Sequence, residues 1–219
     1  MERTLSKSAA RHYYERFAEN QDRQGWYEDA ALERLIAGGA FGRARAVLEV
    51  GCGTGRLAEL LLAHHLPPNA RYLGLDISQA MLALAARRLT PHASAAHLAL
   101  ADATVSLPVA DGSFDRIIAA YLLDLLPRSQ ALGLIGEAGR VLVPGGLLCL
   151  ASLTRGSGGI AGLGSWIWAG VQRLAPQWVG GCRPVQLTGL LDAHDWDVRS
   201  RETVSPWSVA SEIVIARAR

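Results

Sequence analysis

Lysine is nearly missing from this chain: Lys7 is the only one, and arginine supplies the rest of the 22 basic side chains. That imbalance carries no mechanistic message by itself. Cysteine is sparse as well, limited to Cys52, Cys149 and Cys182. An odd number, two of them in strand or glycine-loop positions, does not make a disulfide framework and suits a reducing compartment. No apolar run is long enough to span a bilayer. The opening MERTLSKSAARHYYERF has no apolar leader stretch, so the expectation is a cytoplasmic protein. A strong excess of positive charge is also lacking. A formal net charge of +2 argues against a nucleic-acid partner, because phosphate-binding domains concentrate basic residues. The chain does have 219 residues, 50% of them hydrophobic, enough for one packed α/β domain with appendages.

The stretch Val47-Leu48-Glu49-Val50-Gly51-Cys52-Gly53-Thr54-Gly55 organises the rest. An apolar, β-branched run reads as a buried strand. Glycines at alternate positions follow, and a helical pattern begins near Arg56. A strand that ends in a glycine loop and opens into a helix is a cofactor-binding turn. Without a Cβ the backbone bends tightly and a ligand can lie against it. The helix start adds unpaired N–H groups. A dinucleotide fingerprint, G-x-G-x-x-G, would need glycine at position 56, where this chain has Arg56. The pattern present is E-x-G-x-G-x-G.

Beyond it, strand and helix patterns alternate. Strands are expected over Ala46–Val50, Arg71–Leu75, Ala96–Leu100, Phe114–Ala120 and Leu147–Leu153, with a Pro144-Gly145-Gly146 turn before the last. Helices are expected over Leu57–His65, Ser78–Arg88 and Ser129–Leu142. Such alternation implies a Rossmann-like, doubly wound, mostly parallel sheet, with ligands bound beyond the strand C-termini. Trp196–Val204 and Ala210–Ala218 alternate like an antiparallel edge pair, and a further helix is expected over Pro184–Ala193. The reading is a single domain over 1–219: an N-terminal helical lid (1–43), a cofactor-binding core (44–153), a helical insertion (154–194) and C-terminal strands (195–219). The N-terminal aromatics Tyr13, Tyr14, Phe17, Trp26 and Tyr27 either pack on the sheet or close over a site.

Asp76 ends the second strand and Asp102 the third. An ionised carboxylate at the first position can accept from both hydroxyls of a ribose, or it can cap the helix beginning near Ser78. Phe114-Asp115 opens the fourth strand and Pro144-Gly145-Gly146 precedes the fifth. Taken together, these motifs resemble those of the class I S-adenosylmethionine (SAM)-dependent methyltransferases over about residues 46–153. The closest overall resemblance is to the group of ubiquinone/menaquinone-biosynthesis and phospholipid methyltransferases. That resemblance implies SAM as the cofactor. It implies that Gly51, Cys52, Gly53 and Gly55 form the loop at its methionine end, with Glu49 orienting the loop or approaching the amino group. Asp76 would hold the ribose, Asp102 would accept from the adenine amino group, and the backbone of Ala103 would meet the ring. Ile77 and Met81 would flank the adenine or belong to ordinary helix core. Cys52 reads as a small packing residue, since direct methyl transfer needs no covalent enzyme intermediate. No metal ligand set is assigned.

The segment after the fourth strand, Ala119-Ala120-Tyr121-Leu122-Leu123-Asp124-Leu125-Leu126-Pro127, faces the transferred methyl in that family. It lacks the Pro-Pro-aromatic signature of adenine and amide N-methyltransferases, and no basic, aromatic-interleaved RNA surface is visible. The expectation is a small, hydrophobic or lipid-like acceptor, with Tyr121 as a pocket residue and Tyr14 in the lid. His12, Tyr13, Tyr14, Tyr121 and Asp124 are candidates for a base, should the acceptor lose a proton. Residues 156–175 follow a glycine-rich entry, with Ile160, Leu163, Ile167, Val171 and Leu174 on one helical face and Trp166 and Trp168 elsewhere. They either pack on the sheet or wall an apolar acceptor pocket with peripheral membrane contact. Two other functions stay open at this point, an aminopropyltransferase using a SAM derivative and a non-catalytic SAM-fold binding protein. Oligomeric state is not legible.

Overall fold

The computed structural model describes residues 25–102, 106–155, 182–192 and 194–219. These form a seven-stranded sheet in the order β3-β2-β1-β4-β5-β7-β6, with β1 Ala46–Val50, β2 Arg71–Asp76, β3 Ala96–Leu100, β4 Phe114–Ala120, β5 Leu142–Leu153, β6 Trp196–Val204 and β7 Ser211–Ala218. The strands β1 to β5 pair in parallel, while β7 lies antiparallel between β5 and β6. Four α-helices accompany them among the described residues: α1 Gly25–Gly38, α2 Arg56–His64, α3 Gln79–Arg88 and α4 Arg128–Val141. The expected doubly wound, mostly parallel sheet with an antiparallel C-terminal pair is the observed one.

Central parallel strands are covered on both faces, so they need not alternate. All five residues of β1 are buried. One face packs against α1 and α2 through Ala31, Leu35, Leu57, Ala58 and Leu61. The other packs against α4 through Ala131, Leu134, Ile135 and Ala138. The outer strand β6 is largely solvent-facing and carries Arg199, Arg201 and Glu202, charges that discourage pairing with another chain's edge.

The motif Phe114-Asp115 has a structural use. The Asp115 carboxylate accepts the Arg45 N–H at 2.7 Å, fixing the entry to β1. Arg116, buried beside it, donates to the carbonyls of Gly39 at 2.7 Å and Ala40 at 3.0 Å. It thereby satisfies backbone acceptors left over where α1 ends.

Two expectations need correction. The helix expected over Pro184–Ala193 is an extended segment followed by a short 3-10 turn, Leu187–Leu190. Val185 N–H donates to Leu153 O at 2.8 Å and Leu187 N–H to Glu212 Oε2 at 2.7 Å. These long-range partners take donors that a helix would have used, in a stretch that Pro184 and Gly189 make a poor helix former. The strand β5 also begins earlier than expected. Leu142 already pairs with Phe114, and Pro144–Gly146 loops out before Leu147 pairs with Arg116. Gly145 takes φ +77 in that bulge, a conformation glycine adopts without steric cost.

Candidate active site

Strand order reverses between β1 and β4, and in open α/β sheets the crevice at that reversal receives the ligand. The glycine loop leaves β1 on one side of it and the Tyr121–Asp124 turn leaves β4 on the other. They touch: a side chain placed on Gly51 would begin 3.3 Å from Leu122 Cδ1.

The loop is pinned to the end of β2. Leu75 O accepts both the Gly51 N–H at 2.8 Å and the Cys52 N–H at 3.0 Å, and Gly55 N–H returns to Cys52 O at 3.0 Å. Gly51, Gly53 and Gly55 all have positive φ, at 77°, 53° and 77°, a region costly for other residues. A Cβ on Gly55 would meet Ala85 Cβ at 3.0 Å, so this glycine lets α3 approach α2 closely. A Cβ on Gly53 would meet nothing within 4 Å. Its freedom therefore serves the open side of the loop. Arg88, from α3, also holds the loop through Thr54 O at 2.9 Å and Thr54 Oγ1 at 2.7 Å.

Asp76 Oδ2 accepts the Gly53 N–H at 2.9 Å, and Oδ1 accepts the Ser78 N–H at 2.8 Å. Helix capping falls to Ser78, whose hydroxyl accepts the Met81 N–H at 3.3 Å. A carboxylate has about four acceptor positions, so half-buried Asp76 keeps acceptor capacity beyond the Gly53 and Ser78 donors and the nearby Ile77 N–H. Burial raises its pKa, against the pull of those backbone donors. Asp102 is exposed at the neighbouring strand end, just past Ala101, whose N–H donates to Asp76 O at 2.9 Å. Ile77 is half-buried and Met81 buried.

Glu49 lies buried beneath the loop and accepts from the Tyr72 hydroxyl at 2.5 Å. Burial pushes its carboxyl up to about 8, with the nearby Asp76 charge adding to it. Cys52 is buried, and burial first, then the Glu49 and Asp76 charges, push its thiol well up. A protonated thiol in that setting is a packing group and a poor nucleophile. A side chain on Gly74 would meet the Cys52 sulfur at 2.9 Å.

On the β4 side, Tyr121 has φ 53, an uncommon conformation for an aromatic residue and one that recurs at functional sites. Its hydroxyl shares a 2.9 Å hydrogen bond with Ser211 Oγ. Its ring meets that of Tyr27, from α1, edge to face with centroids 5.8 Å apart. Tyr27 packs with Leu153 and Cys182, and Leu125 and Val209 border the cluster. Asp124 is fully buried behind them. Arg56, the first residue of α2, pairs with Glu28 at 3.1 Å and with Asp29, both on α1. Burial pushes Glu28 up to about 7, with Arg56 opposing.

The sequence pattern singled out Glu49, Gly51, Cys52, Gly53, Gly55, Asp76 and Tyr121, and the fold gathers them at one crevice. It missed Glu28 and Arg56, whose contact joins segments with no shared periodicity. It also missed Arg88, which reads locally as one more basic residue at a helix end. Tyr14, Ala103, His12, Tyr13, most of the N-terminal lid and the 156–175 helix with Trp166 and Trp168 lie outside the described residues.

Residues 47–146 match the family model described as Methyltransferase domain. Over those residues the chain is similar to a methyltransferase domain. A malonyl-[acyl-carrier protein] O-methyltransferase of Marinomonas sp. is 33% identical over 144 residues, covering 66% of this chain and 51% of the relative. A demethylmenaquinone methyltransferase of Symbiobacterium thermophilum is 31% identical over 151 residues, covering 64% and 57%. The chain thus spans a little over half the length of these curated relatives. Among solved structures, the N-methyltransferase NodS of Bradyrhizobium japonicum, in complex with S-adenosyl-L-homocysteine, superposes with a TM-score of 0.66 at 21% identity, covering 95% of this chain and 98% of that one. This last likeness is one of fold. The residues present suit SAM, the cofactor that the sequence resemblance implies: Gly53 leaves its side of the loop open, and Asp76 is a half-buried carboxylate acceptor at the strand end beside it.

Proposed function

We propose that this protein transfers the methyl group of SAM to a small, hydrophobic or lipid-like acceptor. The observation that carries the reading is the facing of the glycine loop and Tyr121 across the sheet's switch point, with Leu122 packed on Gly51. In this reading the backbone of Gly51, Cys52, Gly53 and Gly55 cradles the amino-acid end of the cofactor, and Glu49 braces the loop from below. Asp76 accepts the ribose hydroxyls, while Asp102 and Ala103 meet the adenine and Ile77 and Met81 shape its flank. When bound, SAM supplies an activated methyl group on a positively charged sulfonium.

The protein's own contribution is alignment and exclusion of water, which by themselves can supply much of a rate enhancement. Tyr121 and Tyr27 form a paired aromatic wall on the acceptor side, and Leu125, Leu153 and Val209 extend it with apolar surface. That lining supports a hydrophobic acceptor. We read the N-terminal segment, with Tyr14, as a lid over this wall, and residues 156–175 as a further part of it that meets a membrane surface when the substrate is lipid-like.

A SAM-consumption screen across quinols, phenols, thiols and amines tests the reading. Turnover with an apolar member, and loss of turnover but not of SAM affinity in Trp166→Ala or Trp168→Ala, is expected. SAM binding without turnover on any class would sink the proposal.

A further inference from the structure

We infer that the buried carboxylate of Asp124 receives the ammonium group of a hydrophobic amine and takes one proton from it. The freed nitrogen lone pair then bonds to the SAM methyl as the sulfur–methyl bond breaks, giving an N-methylammonium product and S-adenosylhomocysteine. An amine is then the acceptor class at this site. The inference rests on the methyl-transfer reading above and adds a recognition element to it.

Asp124 lies in the turn after β4, two residues beyond the Leu122 side chain that packs on Gly51. It is fully buried, and neither carboxylate oxygen has a hydrogen-bond partner among the described residues. Burial pushes its carboxyl up to about 7, and its own N–H and that of Leu153 oppose this without hydrogen-bonding geometry. Native structures rarely leave a buried carboxylate unsatisfied, because the lost hydration is costly. The protein groups around Asp124 do not make up that loss. Arg183 opposes the charge from a distance, yet its guanidinium donates to Leu126 O. The Cys182 thiol is adjacent but is a weak donor.

The surroundings favour a cation with an apolar body. Burial first, and then the Glu28 and Asp124 charges, raise the pKa of Tyr27, Tyr121 and Cys182. On α1 the facing groups are Tyr27 and Glu28, the latter paired with Arg56. From the other elements they are Tyr121, Cys182 and Arg183. The two tyrosine rings offer aromatic surface of the kind that attracts ammonium groups. Leu125, Leu153 and Val209 offer contact for a hydrocarbon body. An alkylammonium would place donors on the unsatisfied oxygens and compensate their charge. An alcohol would bring one donor and no charge, and an anionic acceptor would be repelled.

The test is calorimetric titration of the full chain, saturated with S-adenosylhomocysteine, with 2-phenylethylamine and with its neutral counterpart 2-phenylethanol. The amine is expected to bind at least about tenfold more tightly, a difference worth about 1.4 kcal/mol. Asp124→Asn should erase that preference and leave S-adenosylhomocysteine affinity unchanged. Glu28→Gln, which removes the other carboxylate titrating nearby, should keep it. If the Asn variant does not fold, a pH series on the wild type decides. Amine affinity should rise through about pH 7, where burial has placed the Asp124 ionisation. It should fall again only as the alkylammonium deprotonates above about pH 10, while the alcohol stays flat. Equal binding of both probes, no binding of the amine, or a preference that survives Asp124→Asn overturns the inference. Failure of the wild type to bind S-adenosylhomocysteine would instead overturn the methyltransferase reading.

Discussion

Arg56 Nη2 lies 3.1 Å from Glu28 Oε2, across a contact that joins the first turn of α2 to the first turn of α1. Because Arg56 follows directly on Gly55, the same residue that starts the helix behind the cofactor loop also holds the α1 element carrying Tyr27. Docking of α1 and the shape of the loop are thereby linked.

Arg56→Ala should loosen that link in a pH-dependent way. Removing one partner of a mostly buried pair leaves an uncompensated charge, worth about 1–3 kcal/mol at this partial exposure. Glu28 ionises only near 7 in the folded protein, so below that range it escapes the penalty by taking up a proton. Urea unfolding at about pH 6 and about pH 8 should show the larger loss at the higher pH. The same loss at both would mean that Glu28 is not the group left stranded.

Asp76→Ala should weaken SAM binding by about 1–3 kcal/mol, the range for losing a charged hydrogen-bond partner. Part of that loss comes through the loop, since Gly53 N–H loses its acceptor. Asp76→Asn keeps an acceptor oxygen and should recover some affinity. An unchanged dissociation constant in a folded Asp76→Ala protein would remove the ribose assignment.

Gly53→Ala and Gly55→Ala should fail differently. Gly55→Ala forces a Cβ to 3.0 Å from Ala85 Cβ at φ 77, and should cost about 2 kcal/mol of stability from overpacking and strain. Gly53→Ala meets no protein atom within 4 Å, so about 1 kcal/mol of backbone strain is its whole cost to folding. Its methyl group would face the cofactor side, and SAM affinity should fall about tenfold or more. Melting temperatures and SAM titrations on both variants separate the two. A Gly53→Ala protein with wild-type SAM affinity would place the cofactor elsewhere.

Stability should decline as pH rises from about 4 to about 8. Burial raises Glu28 to about 7, Glu49 to about 8 and Asp124 to about 7. Carboxyls raised in the folded state stabilise it fully below their unfolded pKa, and that contribution is lost as pH climbs through the folded value. The half-buried Glu137 and Asp197 shift downward beside Arg140 and Arg199, so their effect falls below about pH 4, outside this window. Thermal melts across the range should show the decline, and Glu49→Gln should flatten it. A melting temperature that climbs toward pH 8 in the wild type would contradict the burial of these groups.

Local pattern determined a great deal of this protein. Ala46–Val50, Ala96–Leu100 and Phe114–Ala120 read as strands because short apolar runs between turn signals carry their own boundaries, and the structure has these same spans. The glycine loop was legible because left-handed backbone restricts residue choice at single positions, as at Gly51, Gly53 and Gly55. Contacts between distant segments left no such trace. Nothing periodic joins Glu28 to Arg56, or marks Asp124 as fully buried. The helix expected over Pro184–Ala193 does not form because the Val185 and Leu187 N–H groups donate to Leu153 O and Glu212 Oε2, far away in the chain. Side-chain period reports which face of an element is apolar, whereas burial of a charge and the partner of a backbone donor depend on which surfaces the fold brings together. The elements and the glycine loop were therefore set by sequence alone, and the burial of Glu28 and Asp124 beside Tyr27 and Tyr121 was decided only by tertiary structure.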